Sequence, residues 1–301
     1  MVSAITSLVC YTTLLTKNYH MRPLINVLVL ASLFIHASLT CLFASEQVVY
    51  KKVGETDLTI DIEKPADWKA SDKRPAIVFY FGGGWVGGTP TQFQKQSDYL
   101  ATRGMVGIRV KYRTIPKGEK LPLLCCADAK SAMRYVRSHA AELGIDPNRI
   151  AASGGSAGGH LAAFTTMVEG LDDIADDKSV SCKGNALVLF NPVFNNGPGQ
   201  WGNKNVGERF MEFSPAHHIT KDTPPTIVFL GDSDALIPVS VLTEFAEGMK
   251  KVGVRCDPHV YPKSAHGFFN KEPHYTLTLI EADKFLTSLG WLTGEPTIKA
   301  P

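Results

Sequence analysis

The sequence has almost no net charge, which argues against protein classes that depend on a strong electrostatic field. Lysine and arginine number 31 and aspartate and glutamate 29, giving a formal net charge of +2 over 301 residues. No block of like charges stands out along the chain. Because nucleic-acid binding needs a concentrated basic surface, we expect no nucleic-acid partner.

Cysteine is sparse, and its spacing fits neither a metal site nor a dense disulfide framework. Two of the six cysteines, Cys10 and Cys41, precede the globular part of the chain. The other four are Cys125, Cys126, Cys182 and Cys256. Their separations match no zinc-ligand pattern, so we expect no metal and no other cofactor. Four cysteines allow three full pairings; one disulfide is possible, and free thiols are the simpler prediction.

Long hydrophobic runs are lacking outside the N-terminal region. From Met21, the segment MRPLINVLVLASLFIHASLTCLFASEQ has a basic residue, an apolar run from Leu24 to about Ala44, and then polar sequence. This arrangement is typical of a secretory signal peptide and predicts a secreted or periplasmic protein that begins near residue 45 or 46. A run of this length could instead remain as a membrane anchor. Residues 1–20 are interpreted as an upstream extension, since Met21 opens a more usual signal peptide.

Strand-like and helix-like segments alternate through residues 46–301. Short apolar runs predict strands at Ala76–Phe81, Met105–Tyr112, Ile150–Ala152, Ala186–Phe190, Thr226–Leu230 and near His259–Tyr261. Helical patterns between them span Phe93–Thr102, Ala127–Leu143, Ala157–Met167, Val239–Lys250 and Tyr275–Leu289. The alternation predicts a single α/β domain with a mostly parallel sheet. The segment VVYKKVGETDLTIDIEKP predicts an antiparallel hairpin at one sheet edge.

One serine lies among four glycines in IAASGGSAGGH, residues 150–160. Its G-x-S-x-G pattern stands between a predicted strand and a predicted helix, which is the context of a nucleophile elbow. On such a turn the Ser156 hydroxyl projects at the carboxyl edge of the sheet, and flanking glycines avoid Cβ clashes. The alternatives are a turn that merely begins a helix and a phosphate-binding loop. A P-loop does not fit, because no Gly-Lys-Ser/Thr follows.

A catalytic serine also needs a base and an acid that orients the base, because its hydroxyl alone is a weak nucleophile. Asp234 follows the strand Thr226–Leu230 in LGDSDALIP, and His266 follows the last predicted strand in VYPKSAHGF. Ser, Asp and His in this chain order, each after a strand, is the α/β-hydrolase order. Asp232 remains an alternative to Asp234, whereas the other histidines lack this context.

A second glycine-rich segment, FGGGW at residues 81–85, directly follows the strand Ala76–Phe81. Backbone amides in such a turn can bind the negative charge that develops on a carbonyl oxygen during acyl transfer. Together FGGGW, GGSAGG, GDSDALIP and AHGF, at these separations, resemble the hormone-sensitive-lipase-like branch of the α/β-hydrolase superfamily. The resemblance is strongest to its bacterial esterases, which include carbohydrate acetyl and feruloyl esterases, and it covers nearly all of residues 48–292.

The resemblance implies an α/β-hydrolase fold and a serine-esterase mechanism. It assigns Ser156 as the nucleophile, His266 as the general base and then acid, and Asp234 as the group that orients the imidazole. The implied oxyanion hole consists of the amides of Gly83, Gly84 and Ala157. The family usually has a histidine that supports this loop, and this sequence has Phe81 at that position. The sequence therefore leaves open whether the loop is as rigid as in the family.

Family members often carry a helical cap over the site, and this sequence has little room for one. The hairpin begins almost at the start of the body, and the later insertion, about residues 193–221, is short. We therefore expect a minimal cap and an open pocket. Trp85, beside the glycine turn, and Trp201, in the insertion, are predicted to contact substrate. Alternatively, the aromatic residues of the insertion pack on the body.

These features predict a serine carboxylic-ester hydrolase for short-chain acyl esters, such as acetyl or feruloyl esters of polysaccharides. An open site with little apolar lining disfavours long-chain triglycerides. The alternative from another class is a catalytically silent ligand-binding protein of the same fold, which usually lacks one triad residue. A prolyl-oligopeptidase-like peptidase shares the elbow, but the chain is too short for the additional propeller domain.

Overall fold

The computed structural model describes residues 45–301, so the predicted signal segment lies outside the described residues. Eight strands form one sheet: β1 Glu46–Val53, β2 Thr56–Glu63, β3 Arg74–Tyr80, β4 Val106–Val110, β5 Ile145–Gly155, β6 Ala186–Phe190, β7 Thr226–Gly231 and β8 Cys256–Tyr261. Their order is β1-β2-β4-β3-β5-β6-β7-β8. Pairing is antiparallel for β1 with β2 and β2 with β4, and parallel elsewhere. The mostly parallel sheet and the hairpin at its edge are confirmed.

The helices cover both faces of the sheet. They are α1 Gln94–Thr102, α2 Leu123–Ser138, α3 Ala157–Met167, α4 Asn203–Val206, α5 Val239–Lys251 and α6 His274–Ser288. Side chains of α2, α3 and α5 join one buried cluster, and those of α1 and α6 join the other. In β3, Val78 contributes to the first cluster and its neighbour Phe79 to the second. Burial on both faces explains why the central strands are continuous apolar runs.

Helix α2 differs most from the sequence prediction. It begins at Leu123 and ends at Ser138, whereas the pattern predicted Ala127–Leu143. Strand β5 begins at Ile145, in the GIDPN segment that directly follows the predicted end of this helix. Arg74 of β3 pairs with Ile145 ahead of a register shift, which extends β5 beyond the predicted Ile150–Ala152.

The four cysteines of the described region are free thiols: Cys125, Cys126 and Cys182 are buried, and Cys256 is partly exposed. Cys125 and Cys126 lie in the first turn of α2, where their side chains pack in the core. Between residues 45 and 301, no helix is long and apolar enough to cross a membrane.

Candidate active site

Ser156 occupies a sharp turn between β5 and α3. Its backbone has φ 55° and ψ −120°, a conformation that residues other than glycine rarely adopt. Three backbone hydrogen bonds hold it there. Ser156 N–H donates to Phe190 O at 2.9 Å, and Ser156 O accepts the N–H groups of His160 at 2.9 Å and Val193 at 3.4 Å. The nucleophile-elbow geometry therefore places the hydroxyl at the carboxyl edge of the sheet.

Glycines beside Ser156 permit close backbone approach. A Cβ atom added to Gly158 would overlap the carbonyl oxygen of Tyr80, at the end of β3. A Cβ on Gly154 would lie 2.6 Å from the same oxygen. Helix α3 can therefore begin directly over β3 only if both positions lack a side chain.

His266, on the loop after β8, connects Ser156 to Asp234. Its Nε2 lies 2.8 Å from Ser156 Oγ, and its Nδ1 lies 2.7 Å from Asp234 Oδ2. The other carboxylate oxygen of Asp234 accepts the N–H groups of Leu236 and Ile237 at 2.8 and 3.0 Å. Burial of this carboxyl opposes its ionisation, but the hydrogen bonds from His266 and the two amides keep the pKa of Asp234 below its usual value. An ionised Asp234 holds a proton on Nδ1 and leaves the Nε2 lone pair facing the serine.

The alternative residues lie in other environments. Asp232 is exposed and accepts a hydrogen bond from the neighbouring Ser233 hydroxyl. His160 is fully buried and its Nε2 lies 2.7 Å from Phe213 O, while burial lowers its pKa to about 4. His160 therefore stays neutral and donates that hydrogen bond. Within residues 45–301, no cluster of three or more His, Cys, Asp or Glu side chains could hold a metal ion.

The glycine turn after β3 lies directly against the serine. A Cβ on Gly82 would be 3.4 Å from Ser156 Cβ. Gly83 and Gly84 follow with φ 128° and 64°, and in the described part of the chain their amides donate no hydrogen bond. Ala157 is the first residue of α3, where backbone N–H groups lack an intrahelical acceptor. Two of the three predicted oxyanion donors therefore lie on the turn whose first glycine contacts the serine, and the third directly follows the serine in the chain.

Phe81 supports this turn without the family histidine. Its ring stacks on Tyr112 at 4.0 Å between centroids and 12° between planes. The Tyr112 hydroxyl donates to Phe81 O at 2.6 Å. The next amide, Gly82 N–H, donates to Gln92 Oε1 at 2.6 Å.

The two predicted substrate-contacting tryptophans differ in position. Trp85 is 0% exposed and packs 4.9 Å from both the His160 and Trp201 rings, so the prediction that it contacts substrate is wrong. Positive φ angles at Gly84 and Trp85 turn the chain so that this indole enters the core. Trp201 is partly exposed, and its ring lies 3.7 Å from the position of a Cβ on Gly84. It therefore borders the glycine turn from outside.

Comparison with known proteins identifies the family. The apo structure of Thermogutta terrifontis esterase 2 matches with a TM-score of 0.80 and 46% identity, over 84% of this chain and 98% of that one. The chain belongs to the α/β-hydrolase family of esterases. Within this α/β-hydrolase, the BD-FAE family model matches residues 60–193 and the prolyl oligopeptidase family model matches residues 181–287.

Curated relatives of this α/β-hydrolase include named esterases. A probable isoprenylcysteine alpha-carbonyl methylesterase of Arabidopsis thaliana is 27% identical, over 64% of this chain and 45% of that protein. An acetylxylan esterase of Xylanibacter ruminicola is 28% identical, over 74% of this chain and 46% of that protein. The chain spans about half the length of these curated relatives.

Asn191 is a site residue of this α/β-hydrolase that the sequence interpretation missed. It follows β6, is fully buried, and has φ 33°. Its Oδ1 accepts the N–H of Gly267 at 3.0 Å, and its Nδ2 lies 3.5 Å from His266 Nε2. The available signal was its place directly after a parallel strand, at the edge where Ser156, Asp234 and His266 also lie.

Proposed function

We propose that the chain is a serine carboxylic-ester hydrolase for short-chain acyl esters. The observation that carries the proposal is the 2.8 Å contact from Ser156 Oγ to His266 Nε2, in a ring whose Nδ1 is bound by Asp234. A base held in one tautomer within hydrogen-bonding reach of a strained, partly exposed serine is what nucleophilic acyl transfer requires.

The reaction follows from this geometry in two stages. Ser156 Oγ attacks the ester carbonyl carbon while its proton moves to His266 Nε2, and the carbonyl oxygen becomes an oxyanion. The amides of Gly83, Gly84 and Ala157 stabilise that charge. The tetrahedral intermediate then breaks its bond to the alcohol oxygen, which takes the proton from Nε2. Water repeats the sequence on the acyl-enzyme, so the products are an alcohol and a carboxylic acid.

Three observations favour short acyl chains. Solved structures of Thermogutta terrifontis esterase 2 include propionate-bound and butyrate-bound forms. Residues 191–225, between β6 and β7, contain one four-residue helix, α4, and two short 3₁₀ segments, and Trp201 lies against the glycine turn. Such a small insertion supplies little apolar wall for a long chain. We propose acetyl esters of polysaccharides as the natural substrate class, supported by the likeness to an acetylxylan esterase.

The proposal is tested by turnover and by covalent labelling. Wild-type protein should release p-nitrophenol from p-nitrophenyl acetate and acetate from acetylated xylan, and Ser156→Ala should lose both activities. Paraoxon, which phosphorylates Thermogutta terrifontis esterase 2, should add one phosphoryl group to wild-type protein and none to Ser156→Ala by mass spectrometry. Ser233→Ala, an exposed serine beside Asp234, serves as the matched control and should resemble wild type. Ester binding without turnover in the wild type would instead support the silent binding protein.

A further inference from the structure

The glycine turn and the His266 loop are joined by two side-chain amides from distant parts of the chain. Gln92 Nε2 lies 3.3 Å from Asn270 Oδ1, across 178 residues of sequence. On one side, Gln92 Oε1 accepts the N–H of Gly82 at 2.6 Å. On the other, Asn270 Nδ2 donates to Gly267 O at 3.0 Å. We call this three-bond connection the amide bridge.

Both ends of the amide bridge lie next to residues of the proposed site. Gly82 directly precedes the oxyanion amides of Gly83 and Gly84, and it packs against Ser156. Gly267 directly follows His266, and its own N–H is held by Asn191. The bridge therefore spans from the group that binds the oxyanion to the group that moves the proton.

The polarity of the bridge is fixed at each end. Gly82 presents a donor, so Gln92 must turn its oxygen inward and its NH₂ group outward. Gly267 presents an acceptor, so Asn270 must turn its NH₂ group inward and its oxygen outward. The NH₂ group of Gln92 then meets the oxygen of Asn270. All three hydrogen bonds point in the same direction along the bridge, and hydrogen bonds in such a chain polarise one another.

We propose that Gln92 and Asn270 are positioning residues that set the distance between the oxyanion amides and His266; the inference rests on the proposed ester hydrolysis. The oxyanion and the proton on Nε2 exist together only in the tetrahedral intermediate and the transition states around it. A change in the spacing of their partners therefore raises the barrier with little effect on ground-state binding. Because Phe81 carries no polar side chain, Gln92 is the side chain that holds the amide before the oxyanion donors.

A double-mutant cycle on p-nitrophenyl acetate tests the bridge. Gln92→Ala and Asn270→Ala should each lower kcat by about tenfold, with KM within about twofold of wild type, since small misplacements of reacting groups are costly. The double variant should be about as slow as the slower single variant, because one broken bond already disconnects the bridge. Thermal unfolding of each variant, compared with wild type, reports whether the fold is kept.

Gln94→Ala is the matched control. Its amide stands two residues from Gln92 and contacts Glu63 and Asp98 instead. Its kcat should equal that of wild type. If Gln92→Ala does not fold, Asn270→Ala decides alone, because Asn270 is exposed and its loss should leave the fold intact.

Three results would overturn the inference. Unchanged kcat in Asn270→Ala would mean that the bridge does not position the site. Effects that multiply in the double variant would mean that the two amides act independently. A raised KM with unchanged kcat would mean that Gln92 or Asn270 contacts the substrate directly. A wild-type enzyme without esterase activity would refute the proposed function itself, and so is distinguishable from all three.

Discussion

The side-chain nitrogen of Asn191 faces the imidazole of His266, with Nδ2 3.5 Å from Nε2. Ser156 Oγ approaches the same ring nitrogen to 2.8 Å. Asn191 cannot turn its oxygen toward the ring without losing the Gly267 N–H, which Oδ1 accepts at 3.0 Å. Nε2 therefore faces two hydrogen-bond donors, an environment that favours a lone pair there over a proton.

Asn191→Asp should lower kcat/KM for p-nitrophenyl acetate by about tenfold. The variant replaces the N–H group that faces Nε2 with a carboxylate oxygen, which only accepts hydrogen bonds. That oxygen favours the imidazole tautomer with its proton on Nε2, which has no lone pair for the serine proton. Steady-state kinetics test this, with Asn195→Asp as a control carboxylate four residues along the chain. Unchanged kcat/KM would contradict the donor role of Asn191.

Asp234→Asn should lower kcat by about 10⁴-fold while the protein stays folded. The amide can hold the wrong imidazole tautomer, with its proton on Nε2 and no lone pair for the serine. Asp232→Asn, at the exposed neighbour, should change kcat by no more than about twofold. Steady-state kinetics and circular dichroism on both variants suffice. If Asp232→Asn proved the more damaging of the two, the assignment of the acid would be reversed.

Trp201→Ala should shift the preferred acyl chain toward greater length. The Trp201 indole occupies the space beside the glycine turn, so its removal opens room in which further methylenes can be buried, each contributing about 0.8 kcal/mol. In wild type, with Trp201 beside the glycine turn, acetate or butyrate esters should be best and chains beyond about eight carbons poor. The measurement is kcat/KM across p-nitrophenyl esters from acetate to laurate. Wild-type values that climb from butyrate to laurate would reveal a closed acyl tunnel.

His160→Gln should make the free energy of unfolding depend less on pH in the acidic range. Burial lowers the pKa of His160 to about 4 from 6.5, so between these values the unfolded chain binds a proton that the folded protein excludes. This histidine therefore reduces the free energy of unfolding as pH falls from 6.5 toward 4. The glutamine variant loses that titration but also loses contact with Trp85. The difference between the urea midpoints at neutral pH and near pH 4 should be smaller in the variant than in wild type. An equal difference in both proteins would mean that His160 does not cause the loss of stability in acid.

Exported protein should begin near residue 45 or 46. Cleavage there leaves β1 whole, since its first residue, Glu46, already pairs with Ile62 of β2. N-terminal sequencing of material from the native host tests the proposal of a secreted or periplasmic protein. Recovery of a Met1 or Met21 terminus in the membrane fraction would support the anchor instead.

The three proposed catalytic residues could be predicted because each follows a recognisable strand. Carboxyl ends of parallel strands meet at one edge of a sheet, so strand pattern and chain order together place Ser156, Asp234 and His266 near one another. Gln92 and Asn270 gave no such signal, since neither amide has a role until the fold brings two loops together across 178 residues.

Trp85 shows the limit of arguing from sequence adjacency. Its place beside three glycines indicated the mouth of the pocket, but side-chain direction depends on backbone angles that the residue types do not specify. Positive φ at two successive positions sends the indole into the core, against His160. The replacement of a histidine by Phe81 was equally ambiguous in sequence, and Tyr112, whose ring and hydroxyl stabilise the turn, lies 31 residues away.

The contact between Gly158 and the end of β3 limits how this gene can diverge. Every missense change from a glycine codon adds at least one carbon atom, and at this position that carbon would overlap the Tyr80 carbonyl. The obstacle is the main chain, so replacing Tyr80 by another residue type does not relieve it. Compensation would have to shift β3 and with it the glycine turn. Gly158 should therefore stay invariant among functional descendants even where the surrounding side chains drift.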